Sequence, residues 1–250
     1  MAEGEILGWI IFGIGFGILS FITGLKTLFL KRMIENIPTS KVRSIAMGLV
    51  EIYGQVVPIK LLKSPFSGKD CVYYKYKIEE MRGSGKNRNW TTVKCEEKCE
   101  PFYIKDETGA VLVDCTGANV DINYDSRFES RMGKDPPSQV VSFLKAHKLS
   151  HEDFLGINKH MRYTEWFIGP GEKIYILGTA TDNPNVKLSS KGTENIIIKR
   201  GENEKIFYVS DKSEKEILSS LGWKVIVGVF GGAILTVVCL GFLILYLQNM

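Results

Sequence analysis

Two long apolar runs, one near each end of the chain, enclose a polar middle. The first covers residues 6–30 with Lys26 as its one charged residue, and the second covers residues 223–247 with only Lys224. About 20 apolar residues in a helix suffice to cross the hydrocarbon core of a bilayer. An acidic start, with Glu3 and Glu5, is unlike the positive beginning of a cleaved signal peptide. The pattern therefore predicts two transmembrane helices around a domain of residues 34–221.

The middle part of the chain is predicted to consist mainly of short β-strands. Residues 72–79 alternate apolar and polar side chains, and residues 102–104 and 111–113 flank a turn that contains Gly109. Residues 138–149 predict a helix capped by Ser138, and Asp211 with Glu214 predicts a capping box for a second.

About eight to ten short strands with one or two helices predict a β-rich α+β domain, barrel- or sandwich-like, flanked by the two transmembrane helices. Residues 50–57 resemble residues 174–181, so the domain could also be a barrel built from a duplicated half.

Charge gives an expectation for orientation. All 32 lysines and arginines lie from Lys26 to Lys224, and several, such as Lys31 and Arg32, follow the first apolar run closely. Basic residues next to a span usually stay in the cytoplasm, so the central domain is predicted to be cytoplasmic. The middle part carries 32 basic and 26 acidic residues, and its net charge of +6 also favours contact with anionic headgroups of the lipid bilayer.

The chain has five cysteines, of which Cys239 lies in the second apolar run. Cys95 and Cys99 could form a disulfide or contribute to a metal site, and the spacing leaves both open. A cytoplasmic domain favours free thiols, because that compartment is reducing. His147 and His151 lack the carboxylate partner of a helical metal motif. We predict no metal, no cofactor and no catalytic residue.

Several ordered blocks carry a resemblance to a known family. They include PTSKVRS at residues 38–44, CVYY at 71–74, DETG at 106–109 and RYTE at 162–165. With their spacing they resemble the GIDE domain, also called BAM for "beside a membrane". That domain occurs in membrane-anchored RING-type E3 ubiquitin ligases of mitochondria and chloroplasts and in prokaryotic relatives. In the mitochondrial members it lies across the membrane from the RING.

The resemblance implies ligase activity only if a RING is present. A RING needs about eight Cys and His ligands in pairs to hold two zinc ions. No Cys or His follows Cys239 in this sequence. The chain therefore resembles a RING-less, prokaryotic-type relative, and it is expected not to be an enzyme.

Four charged residues in the resemblance blocks form a candidate recognition surface: Arg43, Glu51, Arg162 and Glu165. The alternative is that they form ion pairs that fix strand ends, as charged residues at strand ends often do.

Glycines in the apolar runs are candidates for helix packing. Gly13 with Gly17, and Gly228 with Gly232, have the G-x-x-x-G spacing that lets two membrane helices approach closely. The contact could join the two spans of one chain or form a homo-oligomer. Alternatively, these glycines reflect the general abundance of glycine in membrane helices.

Together these features predict a membrane-anchored, non-enzymatic interaction or scaffold domain at the bilayer surface. Its partner would be an unidentified protein rather than a nucleic acid. The alternative is the substrate-binding membrane subunit of a ubiquitin-like ligase system whose RING is on another chain.

Overall fold

The chain divides into two compact units. A computed structural model describes residues 2–83, 85–152, 156–184, 195–202 and 206–248. One unit combines the chain ends, Met1–Pro38 with Lys212–Met250, and the other is Thr39–Asp211. The α-helices are α1 (Ala2–Asn36), α2 (Ser138–Ala146), α3 (Glu214–Val225) and α4 (Gly232–Gln248).

The first unit contains two helical segments that are long and apolar enough to cross a membrane. One is α1; the other combines α3 and α4 through a π-helical segment, Ile226–Gly231. Large apolar side chains such as Trp9, Phe12 and Phe230 point outward from them. A helix that is apolar all round is typical of a lipid environment.

Helix α3 begins with a capping box. Ser213 Oγ accepts a hydrogen bond from the Glu216 backbone N–H, and the Glu216 carboxylate accepts one from the Ser213 N–H. The predicted box at Asp211 and Glu214 was wrong by two residues. Ser213 and Glu216 have the same three-residue spacing. They provide acceptors for backbone N–H groups that have no partner within the helix.

The second unit contains thirteen strands among the described residues. In chain order they are β1 (Gly48–Pro58), β2 (Leu62–Lys63), β3 (Asp70–Cys71), β4 (Tyr73–Arg82), β5 (Asn89–Cys99), β6 (Phe102–Lys105), β7 (Ala110–Val113), β8 (Asn119–Asp121), β9 (Ser126–Ser130), β10 (Met161–Ile168), β11 (Lys173–Asp182), β12 (Ile196–Lys199) and β13 (Tyr208–Ser210).

Five of these strands close into a barrel. The order is β1-β6-β7-β12-β11, and an antiparallel pairing of β1 with β11 completes the ring. Side chains that alternate along the strands, such as Ile52, Val56, Ile104 and Ile176, fill its core. The two similar segments, residues 50–57 and 174–181, lie in β1 and β11 and so are neighbours in this ring.

A four-stranded sheet, β5-β4-β10-β9, lies beside the barrel in the same unit. Helix α2 covers one face of it, where Val140 and Leu144 pack with Tyr76 and Ile78. The helix begins as predicted, but Pro137 is its N-cap residue and Ser138 makes no capping bond. The predicted class, a β-rich domain with barrel architecture and two apolar helices that can span a membrane, is confirmed.

The β6–β7 hairpin, also predicted, is organised by Asp106. Its carboxylate accepts hydrogen bonds from the backbone N–H groups of Thr108, Gly109 and Val42. Burial alone would raise the pKa of Asp106, but these bonds favour the ionised form and the pKa is lowered. One carboxylate thereby fixes both the hairpin turn and the segment before β1.

Candidate functional site

The four charged residues of the predicted recognition surface are not brought together at the surface. Arg43 is exposed, and Arg162 is partly buried. Glu51 and Glu165 are fully buried, in the barrel and in the four-stranded sheet respectively. These two carboxylates therefore form no part of an exposed surface, and both serve internal hydrogen bonding.

Glu51 connects the barrel to the segment that enters it. Tyr175 Oη on β11 and Thr39 Oγ1 each donate a hydrogen bond of 2.6 Å to the Glu51 carboxylate. A buried carboxylate is tolerated only where donors replace its lost hydration. Glu51 thus holds the first residue of the unit against the strands β1 and β11.

Glu165 holds a turn in place. Its carboxylate accepts hydrogen bonds from Phe66 N at 2.6 Å, Ser67 N at 3.1 Å and Ser67 Oγ at 2.5 Å. Phe66 in turn packs edge-on against Tyr76 beneath α2. The position of the turn therefore depends on this buried carboxylate.

Arg162 lies in a stack rather than at a free surface. Its guanidinium sits 3.8 Å from the ring centroid of Trp90, and Nε donates to Glu129 at 2.7 Å. This contact and the charge of Arg162 lower the pKa of Glu129. His160 contacts the edge of the same Trp90 ring. The arrangement matches the alternative that was left open, an ion pair fixing neighbouring strands.

The predicted packing glycines all lie where the two spans meet within one chain. A Cβ added at Gly17 would collide with Thr236, and one at Gly232 would lie 2.6 Å from the backbone nitrogen of Phe21. A Cβ at Gly13 would lie 2.6 Å from Cys239 Sγ. Glycine permits this approach because it carries no side chain.

An equally close backbone approach involves Gly24, which lies outside the G-x-x-x-G pattern. A Cβ at Gly24 would lie 2.6 Å from Val229 N and 2.7 Å from Gly228 C. These two partners belong to the π-helical segment of the second span. We call the whole contact, which joins Gly13, Gly17 and Gly24 to the second span, the glycine seam.

The outward side of the barrel carries a patterned surface that the sequence analysis did not identify. We call it the barrel face, and it consists of Tyr53, Gln55, Val57, Tyr103, Lys105 and Lys173. All six side chains are exposed. Residues directly opposite on paired strands share a face, as do alternate residues along one strand.

Strand register arranges this face in rows. Gln55 on β1 is opposite Lys105 on one side and Lys173 on the other. Val57 is opposite Tyr103 in the next row, while Tyr53 lies two residues away in the other direction. The central row is thus basic, and the rows beside it are apolar and aromatic.

An open groove of about 340 Å³ follows the basic row. At its rim, Lys41 forms an ion pair with Glu107, and the hydrogen bond to Glu107 raises the pKa of Lys41. The floor includes Gly54, where an added Cβ would lie 2.6 Å from Lys105 O. A side chain at this position would push β1 and β6 apart.

The cysteines pair differently from the expectation. A disulfide joins Cys99, at the end of β5, to Cys115, which follows β7, with Cα atoms 6.2 Å apart. Cys95 is free and exposed, and Cys71 is free and buried. Residues 95 and 99 lie on one strand, so their Cα atoms are about 13 Å apart and cannot be bridged. The expectation of free thiols throughout was wrong for Cys99 and Cys115.

No group of three or more potential metal-ligating side chains occurs in the ranges that the structure describes. His147 is the C-cap residue of α2, where its ring stacks on Phe143 and Nδ1 lies 2.9 Å from the Phe143 carbonyl oxygen.

These observations define a class: a β-barrel domain joined at both ends to apolar helices that can span a membrane. A model of the GIDE family, described as E3 ubiquitin ligase, matches residues 73–244. The match covers more than half of the chain, and this protein belongs to that family. Neither a curated protein nor a solved structure matches it.

Proposed function

We propose that this protein is a membrane-anchored interaction domain that binds a protein partner through the barrel face and catalyses no reaction itself. The observation that supports this proposal is the barrel face. Tyr53, Val57 and Tyr103 are 41%, 38% and 38% exposed. Val57 and Tyr103 are directly opposite each other on β1 and β6, and Tyr53 lies on the other side of the Gln55 row. Aromatic side chains on a rigid surface provide large contact areas at low entropic cost, and exposed apolar patches often mark interaction sites.

The test is recovery of a partner with and without this face. The full-length chain, crosslinked in its native membranes and purified in detergent, is expected to retain one protein at constant ratio. Tyr53→Ala combined with Tyr103→Ala should abolish this retention, because it removes both rings without touching the core. Tyr124→Ala is the matched control, since Tyr124 is 57% exposed and lies outside the face. Equal recovery by all variants would contradict the proposal.

The family description favours a second candidate function. A family described as E3 ubiquitin ligase suggests that the chain supplies the membrane and substrate-binding part of a ligase system. The RING would then be on another chain. Identifying the retained protein separates the two candidates: a RING protein or a ubiquitin-conjugating enzyme supports the second, and any other protein supports the first.

The side of the membrane on which the domain lies is also a proposal. The basic residues predict the cytoplasm, but that rule applies to loops of up to about 60 residues, and longer domains cross largely regardless of charge. Disulfides persist mainly in oxidising compartments. The Cys99–Cys115 disulfide therefore supports placing residues 39–211 on the oxidising, non-cytoplasmic side, as we propose.

Cys95 is a built-in reporter of sidedness. Burial raises the pKa of Cys71 to about 12, which keeps that thiol unreactive, whereas Cys95 is exposed on β5. In intact cells, a membrane-impermeant maleimide is expected to label the full-length chain, and Cys95→Ser should remove the label. Labelling that appears only after permeabilisation would contradict this orientation and support the cytoplasmic prediction.

A further inference from the structure

The central row of the barrel face carries two lysines that form no ion pair with the described residues of the chain. Lys105 and Lys173 are both exposed. In the described part of the chain, neither ammonium group lies within 4.0 Å of a carboxylate oxygen. Four other lysines on the strands do have such a partner: Lys63, Lys75, Lys77 and Lys94. The row is therefore open to an external anion.

The carboxylates near the groove are paired with groups other than these two lysines. Asp106 accepts hydrogen bonds from Thr108 and Gly109 with one oxygen and from Val42 with the other. Glu107 is paired with Lys41. Both carboxylates have partners within the chain, and in the described residues neither forms an ion pair with Lys105 or Lys173. These two lysines therefore remain available to a ligand.

The spacing of the row suits an extended peptide. Lys105 and Lys173 lie on the two strands that flank β1, so their Cα atoms are roughly 10 Å apart. Acidic residues two apart on an extended chain point to the same side and are about 7 Å apart, a distance that two flexible lysine side chains on Cα atoms roughly 10 Å apart can bridge. The aromatic and apolar rows on either side provide contacts for neighbouring residues of the peptide.

The surroundings favour a peptide over a nucleic acid. A polyphosphate backbone carries one charge per nucleotide and would meet Glu107 and Asp106 at the groove. A peptide with a few acidic residues separated by apolar ones avoids this repulsion. Electrostatic complementarity of this kind suppresses wrong partners as well as speeding association.

We infer that the barrel face recognises an acidic, partly apolar peptide segment of a protein partner, with Lys105 and Lys173 binding its carboxylates. This inference rests on the proposed function and adds the chemistry of the partner. In this inference the apolar rows provide contact area, and the basic row selects the partner by its charge.

Charge reversal tests the inference on the full-length chain in lipid nanodiscs. A displayed library of random peptides, selected on the wild-type chain, is expected to be enriched several-fold in Asp and Glu next to apolar residues. Selection on Lys105→Glu combined with Lys173→Glu should invert this preference toward Lys and Arg. The matched control, Lys86→Glu with Lys98→Glu, changes the same net charge at exposed positions outside the face and should keep the acidic preference.

Three outcomes would overturn the inference: no acidic enrichment, an equal effect of the control variant, or tighter binding of an oligothymidylate than of the selected peptides. Failure here is distinguishable from failure of the proposed function. If the native partner is still lost with Tyr53→Ala and Tyr103→Ala but retained with both lysines reversed, the face binds a partner that is not acidic. If no partner is retained by any variant, the proposed function itself fails.

Discussion

Replacing Gly24 with leucine is expected to force the two spans apart. The added side chain would meet the backbone of Gly228 and Val229, which cannot move aside as a flexible side chain can. Overpacking of a tight contact costs roughly 1–3 kcal/mol, and here both helices must separate to relieve it. Gly15→Leu is the matched control, because an added Cβ at Gly15 has nothing within 4 Å.

The seam also contains its own reporter of distance. A Cβ at position 13 would lie 3.8 Å from Cys239 Cβ, which is the usual separation in a disulfide. Gly13→Cys is therefore expected to crosslink to Cys239 within one chain on mild oxidation, as measured by peptide mass mapping. Adding Gly24→Leu should lower the yield several-fold, and adding Gly15→Leu should not.

Two results would count against the intramolecular seam. An unchanged yield with Gly24→Leu would show that the close approach does not depend on glycine. A crosslink between two chains, visible as a covalent dimer on a non-reducing gel, would support the homo-oligomer alternative instead.

Replacing Glu165 with alanine is expected to lower the free energy of unfolding by roughly 3 kcal/mol or more. Three donors, from Phe66 and Ser67, would lose their acceptor in a buried place. An orphaned buried donor costs about 1–3 kcal/mol. Thermal unfolding of the full-length chain in detergent, followed by near-ultraviolet circular dichroism, measures the change.

Glu107→Ala is the control for this prediction. The side chain of Glu107 is 72% exposed, and exposed ion pairs contribute at most about 1 kcal/mol. The loss of unfolding free energy for Glu165→Gln should fall between those of the two alanine variants. An amide keeps one acceptor oxygen, but its NH2 group would face a hydrogen-bond donor of the turn. Equal losses from Glu165→Ala and Glu107→Ala would refute the structural role of Glu165.

Local patterns predicted the local features of this protein. The apolar runs, the β6–β7 hairpin and helix α2 each depend on residues close in sequence, and their periods can be read directly. Glu165 shows the limit of prediction from such local patterns. It follows Tyr163 and Thr164, all three buried, because β10 is a central strand that is covered on both faces. The alternation of apolar and polar residues along one strand does not show that the strand is buried on its second face as well.

The missed parts of the candidate sites depend on which strands and helices become neighbours. Gly24 lies outside the G-x-x-x-G pattern, and its role follows from the antiparallel register of the other span. Cys99 pairs with Cys115 because one residue ends β5 and the other follows β7. The barrel face combines residues from β1, β6 and β11, whose order around the barrel no single segment encodes.

Barrel closure has a consequence for how the protein folds. Tyr175 bonds to Glu51 across 124 residues, and the whole four-stranded sheet lies between them along the chain. Such high contact order slows folding, since the entropy of the long loop is lost before β1 and β11 gain their pairing. During synthesis the first span is complete long before β11 exists. Strand β1 can pair with β6 at one edge as soon as residues 102–105 are made, but its other edge must wait for β11. This interval, with one strand edge open, is where a chaperone or a misassembled neighbour would act.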